Sequence, residues 1–227
     1  MNTMERIIII CEGPTEEEFC KKTLTPYFQK QQIYVQSPLI KHSNGGIVRW
    51  NILKKQIENH LKQDTTAYVT LLIDYYGLYQ KYEFPGWEES LAITDKNSRL
   101  DFLEHKMSES IEENLRYRFI PYMQLHEFEG ILFYNLEIFD LLFNDDEILD
   151  REELEAIFRE FDNPEMINNC PDTAPSKRLK RIIKGYNKIV YGNILAEAIG
   201  LTGIKAKCPR FNNWITILSS ISKPLHP

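Results

Sequence analysis

The stretch RIIIICEGPTEEEF, residues 6–19, decides how the chain is read. Its four consecutive isoleucines, closed by Cys11, read as a strand buried on both faces, as in parallel sheets covered by helices. Gly13 and Pro14 end the strand. Thr15 followed by Glu16, Glu17 and Glu18 then reads as a capping box, with Thr15 and Glu18 closing a helix N-terminus. Turns from strand to helix usually serve anions, because free N–H groups and the positive end of the helix dipole face the loop. Loops that do so carry several glycines or a lysine. Here there is one glycine, no lysine, and Glu12 at the strand's end, where open α/β sheets place their ligands. Glu16 returns beside it after one helical turn. Two carboxylates converging with no local cation point to a bound one, and hard divalent ions such as magnesium take oxygen ligands of this kind.

The same alternation continues outward. A helix over residues 16–31 leads to a strand at 33–40, a turn at 42–46 (HSNGG), an amphipathic helix to residue 63 and a buried strand AYVTLLID at 67–74. The aromatic stretch YYGLYQKYEFPGWEES, 75–90, reads as an irregular excursion. A helix at 98–115 and a strand FIPYMQL at 119–125 complete the repeat. The pattern implies a mostly parallel four-stranded sheet with right-handed crossovers, flanked by helices. Beyond Glu127 the apolar spacing is helical, in NLEIFDLLF, DREELEAIFREF, SKRLKRIIKGYN, GNILAEAI and FNNWITILSSI. The expected division is an α/β core over residues 1–133 and a helical extension over 134–227 packed on it.

At 227 residues, 43% hydrophobic and 26% charged, the composition is that of a globular protein. No apolar run approaches the roughly 20 residues of a membrane span, so a cytoplasmic protein with no membrane partner is expected. The four cysteines show neither Cys-x-x-Cys spacing nor disulfide density; Cys11 and Cys208 read as core residues. Charge is unevenly spread. From Asp172 onward ten Lys and Arg face two acids, giving +8 and leaving −14 for the first 171 residues of a chain whose net charge is −6. That balance argues against non-specific nucleic-acid binding by the whole surface but allows a phosphate-contacting patch.

Further acids gather where strands end. Asp74 closes its strand as Glu12 does, and in a parallel sheet both ends share one edge. Gln124, His126, Glu127 and Glu129 follow the fourth strand, beside the apolar Ile131, Leu132 and Phe133; buried charge there must be paired or bind metal. His126 reads as a hydrogen-bonded residue orienting a carboxylate, with Gln124 in the same supporting role. In APSKRLKRIIKGYNK the apolar stripe Leu179, Ile182, Ile183 and Tyr186 leaves Lys177, Arg178, Lys180, Arg181, Lys184 and Lys188 on other faces. With Ser176 read as N-cap, Lys177 and Arg178 oppose the helix dipole in the first turn, a local cost that suggests contact with phosphate or with the acidic site. Lys180, Lys184 and Lys188 read as outer cations. Arg210 is a further candidate for nucleic-acid contact.

Together CEGPTEEEF, LLIDYYG, QLHEFEGILF, PSKRL and CPRFNNW resemble the bacterial family known as domain of unknown function 4276, over nearly the whole chain. That family is similar to the Toprim superfamily and, within it, to the overcoming-lysogenisation-defect nucleases. The resemblance implies a Toprim/Rossmann-like fold in which a glutamate after the first strand and an Asp-x-Asp after a later one hold magnesium for phosphodiester chemistry. Glu12 matches the glutamate and Asp74 the first aspartate; Tyr76 stands in place of the second. It also implies a partner, an ABC-type ATPase, in defence against phage. This chain has no Walker motif, so ATP hydrolysis falls to another protein.

The expectation is therefore a Mg²⁺- or Mn²⁺-dependent nuclease acting on DNA or RNA. Glu12, Glu16 and Asp74 bind metal, Glu127 and Glu129 serve as ligands or general base, Lys177 or Arg178 meets the scissile phosphate, and Arg181 and Arg210 contact the nucleic acid. One alternative is a catalytically inactive Toprim-fold subunit that docks on an ATPase through its acidic edge and aromatic insert. Another is a phosphoryl-transfer enzyme acting on a nucleotide.

Overall fold

A computed structural model describes residues 5–43, 46–168 and 170–221. Four strands, β1 (Glu5–Cys11), β2 (Ile33–Gln36), β3 (Ala67–Leu72) and β4 (Phe119–Ile120), form a sheet of order β2-β1-β3-β4. All neighbours pair in parallel, with Ile7 opposite Val35 and Tyr68. This is the mostly parallel sheet that the alternation implies, and it matches the Rossmann/Toprim-like architecture that the resemblance implies.

After β1 the chain enters α1 (Pro14–Phe19), widens into a π turn (Cys20–Leu24) and resumes as α2 (Thr25–Gln29). The wide turn has a local cause. Pro26 has no N–H to give an i−4 carbonyl, and Thr25 donates its own to Cys20, five residues back. Between β2 and β3 runs α3 (Trp50–Gln63); between β3 and β4 lie α4 (Trp87–Ser90), α5 (Lys96–Ser110) and α6 (Glu113–Arg116). Then follow α7 (Leu136–Leu142), α8 (Arg151–Glu160), α9 (Pro175–Ile182), α10 (Lys188–Lys207) and α11 (Pro209–Ser220). Gly200, at φ +70°, breaks α10 into two helical pieces, a backbone setting that favours glycine.

Side chains alternate across the sheet and so divide the core in two. Ile8, Ile10, Val69 and Leu71 pack with Leu53 and Ile57 of α3 and Leu100 and Leu103 of α5. Ile7, Ile9, Cys11 and Leu72 face the other way, onto Phe19, Leu195, Phe211 and Trp214. The helices after residue 134 therefore complete the core on that second face, where Trp214 also donates its Nε1–H to Thr70 Oγ1 at 2.9 Å.

Prolines shorten two expected strands. Pro38 ends regular pairing in β2, although Leu39 still bridges to Cys11, and Pro121 stops β4 after two residues, with pairing resuming only at Asp74 and Gln124. The turn expected at 42–46 includes residues 44 and 45, which lie outside the described ones. No helix among the described residues is long and apolar enough to cross a membrane.

Candidate functional site

The parallel register of β1 and β3 brings Glu12 and Asp74 to one edge of the sheet, joined directly: the Asp74 N–H donates to Glu12 Oε2 at 3.0 Å. Asp74 Oδ1 in turn accepts from the Phe128 N–H at 2.8 Å, which anchors the segment carrying Glu127 and Glu129. Glu16 Oε2 accepts from the Gly13 N–H at 2.9 Å. The helix thus begins two residues earlier than the sequence suggests. Gly13 is the N-cap, Pro14 takes N1, and Glu16 at N3 does the reaching back that the capping-box reading gives to Glu18. A Cβ at position 13 would stand 3.2 Å from Glu16 Oε2, so glycine here makes room for the carboxylate.

Glu129 lies on a 3₁₀ turn (Phe128–Leu132) and is wholly buried. Among the described residues neither of its carboxylate oxygens has an aligned hydrogen-bond donor. The Lys188 ammonium stands 3.0 Å from Oε1, an ion pair without hydrogen-bond alignment. Tyr186 Oη, buried in the same region, also has no hydrogen-bond partner among the described residues. The sequence implies a convergence with no local cation; Lys188 corrects that. It belongs to the site, not to an outer helix face, because α9 ends at Ile182, Gly185 turns the chain at φ +69°, and Asn187 caps a new helix that starts at Lys188.

Electrostatics show how closely these groups interact. Burial pushes the Glu12 carboxyl up to about 7; the Asp74 N–H and Lys188 oppose the shift, and Glu16 and Glu129 add to it. Burial also raises Glu129 to about 7, against the pull of Lys188. Asp74 is raised well above the usual range by burial first, then by Glu12, Glu16 and Glu129. Lys188 moves the other way from a buried lysine: Glu129, Asp74 and Glu16 outweigh its desolvation and raise it. Four carboxylates and one ammonium therefore share one low-dielectric volume, with an excess of negative charge.

Other expected members are placed differently. Both oxygens of Glu127 accept from Ser176, from its N–H at 2.9 Å and its hydroxyl at 3.1 Å, so that Glu127 caps α9 as an anion at a helix N-terminus. Ser176 is accordingly not the N-cap; Ala174 is, with Pro175 at N1. His126, at φ +67°, sets its Nε2 3.0 Å from Lys96 Nζ and not against a carboxylate, and burial with Lys96 lowers it to about 4. Gln124 is buried and its Oε1 accepts from the Tyr122 hydroxyl. Arg178 is buried, donating to Thr173 O and pairing with Glu153; Arg181 pairs with the same Glu153. Arg210 forms ion pairs with Asp101 and Glu104 at 2.5 and 2.6 Å. Lys177 is half-exposed, 3.7 Å from Asp172. The cysteines expected in the core, Cys11 and Cys208, are fully buried.

The donor set at the edge is all carboxylate, the chemistry that suits magnesium or manganese. Among the described residues, however, no group of three or more His, Cys, Asp or Glu is arranged to hold a metal ion. The cation that does stand among these carboxylates is the Lys188 ammonium.

An α/β protein with a parallel sheet and an acidic carboxyl edge is the class these features define. A family model, Domain of unknown function (DUF4276), matches residues 11–219, and the chain belongs to that family. No curated protein and no solved structure matches it.

Proposed function

We propose that this protein is a magnesium- or manganese-dependent nuclease of Toprim type that hydrolyses phosphodiester bonds in DNA or RNA and works with an ATPase in prokaryotic phage defence. The observation that carries the reading is Glu129: a fully buried carboxylate beside Glu12, Glu16 and Asp74 whose one partner among the described residues is the Lys188 ammonium, 3.0 Å from Oε1. Buried charge of this kind is retained where it binds something positive. Glu12, Glu16, Asp74 and Glu129 would hold the ion. Such an ion supplies Lewis acidity, polarising a phosphoryl oxygen and acidifying water. Lys188, half-exposed at the start of α10, offers its ammonium to a phosphate oxygen as negative charge develops there. Glu127 holds Ser176 and the start of α9, and so fixes the wall on which the 3₁₀ turn rests. The ATPase partnership and the defence role rest on the Toprim resemblance alone.

The test is cleavage of single- and double-stranded DNA and RNA with magnesium or manganese, alone and with a co-expressed ATPase. Metal-dependent cleavage that disappears in Asp74→Asn supports the reading. The inactive docking subunit is favoured by a specific observation, Lys188 already paired to Glu129 while Tyr76 replaces the second acid. Capture of an ATPase by a protein that cleaves nothing under any metal would select it.

A further inference from the structure

A cavity on the side of β2 has the opposite character to the acidic edge. Lys41 and His42, just after the β2 region, face the outer side of α3 and with it enclose about 460 Å³. Among the described residues no carboxylate lines it. That is unexpected in the first 171 residues, which carry −14 of the chain's charge while the remainder carries +8 to give −6.

The helix geometry gives the cavity its order. Leu53, Ile57 and Leu61 of α3 are buried in the core. Asn51, Lys55 and Asn59, spaced four apart, then form one exposed row, with donors repeating every ~6 Å along the axis. The facing wall is held rigid by Gln56, which is buried, accepts from the Lys41 N–H at 2.8 Å and donates to Leu39 O at 3.0 Å. His60 also lines the cavity, and its Nε2 has no hydrogen-bond partner among the described residues.

The groove also adjoins the acidic site. Leu39 bridges to Cys11, and the Ile40 N–H donates to Cys11 O at 3.0 Å, which brings Lys41 beside the level of Glu12. Further along, a Cβ at Gly46 would stand 4.0 Å from Glu12 Oε1. From there the groove runs along α3 between Asn51 and Gln63, and the Lys41 charge acts on His60.

We propose that this groove binds a single nucleic-acid strand, with Lys41 and Lys55 on its phosphates and Asn51 and Asn59 on base edges, and so delivers the strand to the acidic edge. The inference deepens the nuclease reading and rests on it for the identity of the polymer. Amide side chains read the Watson–Crick edges that a duplex keeps occupied and a single strand leaves open. A row with ~6 Å repeats follows a strand extended beyond its stacked rise of about 3.4 Å.

The experiment is fluorescence anisotropy of a labelled single-stranded oligonucleotide, and of its duplex, with the full chain in EDTA. Wild type is compared with Lys41→Glu/Lys55→Glu and with a control of equal charge change, Lys180→Glu/Lys184→Glu, taken from α9 and the turn after it. Expected are tighter binding of the single strand than of the duplex, and a loss of about tenfold or more in the groove variant against about twofold in the control. The slope of log affinity against log salt should also fall by about 1.4, because two phosphates of the single strand are no longer neutralised. Asn51→Ala/Asn59→Ala should weaken binding without changing that slope. The proposal is overturned if wild type binds no strand, if the duplex binds tighter, or if the groove variant loses no more than the control. The two readings separate cleanly. Strand binding through the groove with no cleavage under any metal removes the nuclease and leaves the groove, whereas cleavage untouched by the groove variant removes the groove alone.

Discussion

Replacing Glu129 by glutamine tests the electrostatic description of the site most sharply, because its sign is opposite to that of most core substitutions. Burial raises the Glu129 carboxyl from the usual 4.5 to about 7 despite the ammonium 3.0 Å away. A raised carboxyl binds its proton more tightly folded than unfolded. Its ionisation therefore costs nothing below the unfolded value, costs more as pH rises, and reaches the full penalty above the folded one. Two and a half pH units correspond to about 3 kcal/mol. Glutamine removes that penalty, which already includes the pull of Lys188, and leaves the ammonium beside Asp74 and Glu16. Glu129→Gln should therefore gain up to about 3 kcal/mol at pH 8 in EDTA. At pH 5, only half a unit above the unfolded value, the gain should shrink to under about 1 kcal/mol. Urea unfolding of both proteins at both pH values measures this; a variant less stable than wild type at pH 8, or equally shifted at both, refutes the reasoning.

Lys188→Met should do the reverse, costing about 3 kcal/mol at pH 8 by leaving Glu129 without a cation, and the double variant with Glu129→Gln should recover most of the loss in a double-mutant cycle by urea unfolding. Arg210→Met should cost up to about 3 kcal/mol, by leaving the largely buried Glu104 without its cation, while leaving any metal-induced rise in Tm unchanged. Gly13→Ala should push the Glu16 carboxylate away, costing about 1 kcal/mol of helix capping and reducing that metal-induced rise. Lys177→Ala, on an exposed and loosely paired residue, should change stability by no more than about 0.5 kcal/mol.

The sheet was legible because its signals are local. Four isoleucines in a row and AYVTLLID need burial on both faces, and parallel pairing then puts Glu12 and Asp74 on one edge. Strand ends were less so, since Pro38 and Pro121 break the ladder while the apolar pattern runs on. Lys188 was hidden by a boundary. Read as the continuation of the basic helix it looks like one more solvated cation, and only the turn at Gly185 and the cap at Asn187 make it the first residue of α10. Those two residues are the signal that could have found it. The same reasoning that singled out Lys177 and Arg178, a cation placed against a helix dipole, applies to Lys188 at N1. The partners of Glu127 and His126 could not be read from spacing, because Ser176 is 49 residues and Lys96 30 residues away in the chain.

If Glu12, Glu16, Asp74 and Glu129 hold a divalent cation, calorimetric titration of the protein with manganese will show it. Saturable binding is expected for the wild type, lost in Glu12→Gln and in Asp74→Asn while both variants stay folded. Binding that persists unchanged in both variants, or no binding by the wild type, would contradict it.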